Sequence, residues 1–209
     1  MVIGNVNNDI KLVLERVSTM CSKTESVLNL CMTGFIKNKV ELLDDADKIS
    51  QAIHMEENVL IDMLTGLAAK PDADKVMIKS LTAVVGHIEM ATDMLDNILR
   101  HVRAKVSKKI LFSDKGTEEV RSLFEETLDI LKTAGDAVLT RNEVLRKYIT
   151  DKCESISKTV DAYSEEHEER LIKGLCAPQS SSLYLSIVDS QVKVVWHFKQ
   201  AIKRLFERR

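Results

Sequence analysis

The chain has 209 residues, with 30 Lys and Arg against 32 Asp and Glu, for a formal net charge of -2. That balance argues against a dedicated nucleic-acid binder, which needs a basic excess on one domain. The length permits a substantial core in one large or two small domains, and with only 7 Gly and 2 Pro the composition is helical.

The first helix is predicted from about Asn8 to Thr33. Val13, Val17, Met20, Cys21, Thr24, Leu28 and Cys31 recur there at three- and four-residue steps, which makes one apolar stripe. Gly34 breaks that pattern, and Asn38 is positioned to cap a second helix, about Lys39 to Ala69, with Leu42, Ala46, Ile49, Ile53, Leu60 and Leu64 on its inner face. Pro71, Asp72 and Asp74 signal a stop and restart. The third helix, about Ala73 to Ser107, carries Leu81, Val84, Val85, Ile88, Leu95 and Val102. Lys108 to Gly116 is the internal boundary. Three more helices follow, about Thr117 to Leu139, Asn142 to Lys173 and Ser180 to Glu207, with Gly174 and Pro178 in the last link. Short links between long amphipathic helices force antiparallel neighbours. The expected fold is therefore all-α: two tandem antiparallel three-helix bundles, 1–110 and 111–209.

A shift of 103 residues lays the hydrophobic pattern on itself. Met20 falls on Leu123, Leu28 on Leu131, Ile53 on Ile156, Leu95 on Phe198 and Val102 on Leu205. Few identities survive, so the duplication is one of architecture.

Cys21, Cys31, Cys153 and Cys176 form no CxxC pair, which fits reduced thiols in a cytoplasmic protein. No apolar run approaches the ~20 residues of a membrane helix, and the opening residues have no charged segment leading into a long apolar stretch, so no secretion signal is expected. No Gly-rich phosphate loop, GxSxG elbow or HExxH motif occurs, and the expected protein is not an enzyme.

The polar residues that stand out are few. Glu89 and Asp93, four apart, project from one face of the third helix and can share a hard cation; Asp96 extends the stripe. His54 lies beside Ile53 at the core margin, where an imidazole can ligate a metal or simply pack. Glu56 falls in phase with Ile49, Ile53 and Leu60, so it needs a partner or water. His167 lies in a run of acidic residues with i, i+4 pairs Glu166–Arg170 and Glu169–Lys173 and no second His at zinc spacing. Basic residues gather where two equivalent helices end: Arg100, Arg103, Lys105, Lys108 and Lys109, then Lys199, Lys203, Arg204, Arg208 and Arg209. The helix macrodipole favours this placement. Docking on acidic headgroups, as a peripheral membrane contact, or on an acidic partner is the functional alternative.

The stretch Glu165 to Cys176, with His167, Arg170, Leu171, Gly174 and Cys176, followed by Leu183-Tyr184, resembles the last hairpin of PhoU-type domains, most closely the form attached to sodium/phosphate cotransporters. Glu89 and Asp93 stand at that family's E(D)xxxD motif. The resemblance implies a cytoplasmic, non-enzymatic helical protein that modulates a phosphate transporter or an associated sensor protein, with a homo-oligomer compatible. It also implies iron or zinc held by carboxylates of the second and third helix of each repeat. On that basis His54, Glu89 and Asp93 form one depleted metal site. The second-half positions are Cys153, Ser157, Val192 and Trp196, so the acidic cluster is lost there. The alternative reading is a helical scaffold or oligomerisation module that has lost the metal-dependent role.

Overall fold

The computed structural model describes residues 2–207, with side chains from residue 8 onward. Among the described residues there are six helices and no strand: α1 (Val2–Lys37), α2 (Glu41–Ala68), α3 (Lys75–Ser107), α4 (Asp114–Thr140), α5 (Glu143–Ile172) and α6 (Pro178–Phe206).

The links obey local chemistry. The Asp74 carboxylate accepts the Met77 N–H at 2.9 Å and starts α3. Asn142 accepts the Val144 N–H at 2.8 Å and starts α5. Pro178 sits in the first turn of α6, where its missing N–H costs nothing. Several boundaries differ from expectation. Gly34 does not end α1; it lies inside the helix, and a methyl there would come within 2.6 Å of Leu43 Cδ2. The glycine admits α2 to close approach. Asn38 does not cap α2 either. It takes a left-handed φ of 51° just past the end of α1 and accepts a 2.7 Å hydrogen bond from Lys105 Nζ. Similarly, α4 begins at Asp114, three residues before the expected start, because Ser113 accepts the Gly116 N–H at 3.1 Å.

Each set of three helices packs mutually, α1 with α2 and α3, α4 with α5 and α6. The two sets also join. α3 makes its broadest contact with α6, and α1 packs along α4, which leaves α2 and α5 on the outside. Both joints are antiparallel. Ser18 Oγ donates to the Gly135 carbonyl at 3.2 Å while Phe35 lies 6.0 Å from Phe124. Likewise His87 meets His197 while Val76 and Phe206 line one groove. One hydrophobic core takes in residues of all six helices, from Val13 to Leu205.

Candidate functional site

The outer helix α2 brings His54 against the acidic stripe of α3. His54 Nδ1 lies 2.5 Å from Glu89 Oε1, and Nε2 lies 2.9 Å from Asp96 Oδ2. Ser50, buried one turn earlier on α2, donates to the other Asp96 oxygen at 2.5 Å. Both ring nitrogens face carboxylates, and only the imidazolium can donate from both. Burial works against the charge, yet the hydrogen bonds to Asp96 and Glu89 outweigh it and raise His54 above its ordinary value. Glu57, one turn on from His54, has its carboxyl raised by burial and by the charge of Glu89.

Ligand atoms of His54, Asp93 and Asp96 lie within 4.8 Å of one another. Glu89 instead holds the other face of the imidazole, and its second oxygen is buried without a protein partner. The structure thus brings His54 and Asp93 together with Asp96, which the spacing shows only as an extension of the stripe, and sets Glu89 apart from that group on Nδ1. Once the Nε2 proton of His54 is released, its nitrogen and two carboxylates form a donor set that suits zinc or iron. At the second-half positions, Cys153 is buried, with Sγ 3.7 Å from the Val195 carbonyl oxygen and its thiol pushed up to about 12 by burial. Ser157 is exposed and Trp196 is half-exposed.

A second polar cluster lies across α4, α5 and α6, centred on Glu119. Glu119, 2% exposed, accepts two hydrogen bonds from Arg170, at 2.9 and 2.6 Å, and a third from the Tyr184 hydroxyl at 2.7 Å. His167 stacks on Tyr184 with ring centroids 4.2 Å apart. His167 and Arg170 were expected on a charged outer face. The i, i+4 pairs exist, at 3.7 Å for Arg170–Glu166 and 3.0 Å for Lys173–Glu169, but His167 is buried and Arg170 turns inward. The missed signal was Glu119, in phase with buried Leu123 and Thr127 on the inner stripe of α4. Glu56, in phase on α2, likewise finds Arg16 of α1 at 2.6 Å.

Burial, with the nearby Arg170 charge, lowers the pKa of His167 despite Glu119. A depressed imidazole contributes stability that is complete above its unfolded value, about 6.5, and is lost as pH falls toward the folded value. Urea midpoints measured between pH 7.5 and 5.5 should fall, and His167→Gln should remove part of that fall. An unchanged slope in the variant would refute this role.

Several basic residues are engaged internally. Arg103 pairs with Asp44 at 2.5 Å, Lys105 is buried on the Phe35 carbonyl at 3.3 Å, and Lys199 bonds Glu154 at 2.9 Å. Arg100, Lys108 and Lys109 remain exposed, and Arg208 and Arg209 lie outside the described residues. Because α3 and α6 run antiparallel, the two basic clusters sit at opposite ends of the molecule. All four cysteines are free thiols; Cys21, Cys31 and Cys153 are buried.

Solved structures share this arrangement. The chain is similar to PhoU from Pseudomonas aeruginosa, with a TM-score of 0.88 and 15% identity over 95% of this chain and 96% of that one. It is similar to the phosphate transport system regulatory protein PhoU from Streptococcus pneumoniae, with a TM-score of 0.84 and 15% identity over 96% and 94%. A PhoU-like protein from Shewanella oneidensis follows at 0.55 and 11% identity. No protein-family model matches the sequence, and no curated protein matches it. The chain has the PhoU fold, with six helices in two sets of three.

Proposed function

We propose that this protein is a non-enzymatic regulator of phosphate transport that acts by binding a phosphate transporter or its associated sensor protein in the cytoplasm. The carrying observation is the likeness to two PhoU proteins, one described as a phosphate transport system regulator, along nearly the whole chain. On this reading residues 1–110 and 111–209 act together as one unit. No helix among the described residues is long and apolar enough to cross a membrane. Deleting the gene should change phosphate uptake, and the tagged chain should retain the transporter or sensor in a phosphate-dependent way. Unchanged uptake with no retention would overturn the proposal.

The same reading assigns one iron or zinc ion to the first half, held by His54, Asp93 and Asp96 with Glu89 orienting the imidazole. Such an ion would cross-link α2 to α3. Elemental analysis of protein purified without chelator should find metal in the wild type. It should fall by one equivalent in Glu89→Ala/Asp93→Ala and in His54→Gln/Asp96→Asn. A metal-free wild type, or equal metal in the variants, would refute the assignment. A second reading, a helical scaffold or oligomerisation module, draws on the second half, where Cys153, Ser157, Val192 and a half-exposed Trp196 occupy the acidic positions. A stable oligomer by light scattering, together with normal uptake on deletion, would favour it.

A further inference from the structure

The broad joint between α3 and α6 carries a pair of imidazoles that the acidic site does not use. His87 on α3 and His197 on α6 face each other with Nδ1 atoms 3.4 Å apart and ring centroids 5.7 Å apart. Both are half-buried. As a hydrogen bond the contact is long, since N–H donors usually approach within about 2.9–3.0 Å of an acceptor. As a metal bite it is well matched. With metal–nitrogen bonds of about 2.0–2.1 Å, adjacent corners of a tetrahedron lie about 3.3–3.4 Å apart. The two residues stand in the middle of long, mutually packed helices, so the backbone holds the spacing in advance.

Neutral imidazole is the metal-binding form. Trp196, the only tryptophan of the chain, lies edge-on to both rings at 4.8 Å from His197 and 5.9 Å from His87, and is 51% exposed. Solvent can therefore reach one side of the pair and supply the remaining ligands.

We propose that His87 and His197 form a binding site for a borderline divalent transition metal, Cu2+, Ni2+ or Zn2+, bridging the two halves of the molecule. It shares no ligand with the carboxylate-rich cluster at His54. Two nitrogen donors select against Mg2+ and Ca2+, and the affinity order should place Cu2+ above Ni2+ and Zn2+. The site stands independently of the phosphate-transport reading.

Trp196 supplies the assay. Titrating the full chain with Cu2+ should quench its fluorescence to saturation, and only a large excess of Zn2+ should reverse the quenching by displacement. His87→Gln and His197→Gln should each weaken binding roughly tenfold or more, the loss seen even for outer-shell changes at metal sites. His101→Gln, at a half-buried imidazole of α3 outside both sites, should leave the curve unchanged. In the wild-type chain, Zn2+ should shield both His87 and His197 from diethyl pyrocarbonate, read by peptide mass spectrometry. Curves in His87→Gln and His197→Gln that match the wild type, or a curve that vanishes in His101→Gln, would overturn the proposal. So would equal modification of the two histidines with and without Zn2+.

Discussion

Glu119→Ala is expected to destabilise the protein by about 3–5 kcal/mol, the usual cost of removing one partner of a buried ion pair. The carboxylate is almost fully enclosed and accepts from three donors, two on Arg170 of α5 and one on Tyr184 of α6. Truncation leaves a guanidinium, only 14% exposed, with just the solvent-exposed Glu166 at 3.7 Å as counter-charge, and a buried phenol without an acceptor. Burial and the hydrogen bond to Glu119 push the Tyr184 hydroxyl well above its ordinary range, so it stays a donor throughout neutral pH. Urea unfolding measures the loss. The double variant Glu119→Leu/Arg170→Met should recover much of it, because an apolar pair removes both charges together. A Glu119→Ala effect under about 1 kcal/mol would mean that the cluster is wet, with each charge satisfied by solvent.

Phe35→Ala is expected to cost a similar amount, about 3–5 kcal/mol for a buried phenylalanine. Its consequence reaches further than its own half. Phe35 ends the core face of α1, yet its ring lies 5.5 Å from Phe112 in the link and 6.0 Å from Phe124 on α4. Lys105 Nζ sits 4.6 Å from the ring centroid, a cation–π contact in a setting where burial lowers the lysine pKa. The cavity would open at the joint between the halves. Trp196 fluorescence reports the second half and far-ultraviolet circular dichroism reports both. In Phe35→Ala the two should shift together as one transition. A Trp196 transition that stayed in place while the dichroism split would show that the halves fold independently.

The residues differ in how plainly they announced themselves. Helix existence was legible throughout, because apolar residues at three- and four-residue steps mark a buried stripe whatever they pack against. Ends were less so. Gly34 reads as a breaker until Leu43 is seen against it, and Asn38 reads as a cap until its φ is known. His54, Glu89 and Asp93 were legible as candidates through spacing and resemblance. Asp96 gained its part only when α2 delivered His54 and Ser50 to it. Glu119 carried a visible signal, a carboxylate in an apolar phase, of the same kind as Glu56. Its partners lie 51 and 65 positions away, so no local pattern identifies them. His87 and His197, 110 positions apart, meet for the same reason.

Periodicity is a local property, and it was enough to determine an all-helical chain of six long elements in two related sets of three. Which stripe faces which is a matter of long-range packing. That packing joined α3 to α6 and α1 to α4 in antiparallel pairs and merged the apolar faces into one core. It also turned His167 and Arg170 inward and carried the basic clusters to opposite ends. Polar residues acquire chemistry from neighbours within about 3 Å. Here those neighbours come from different helices, so the sites exist only once the helices have docked.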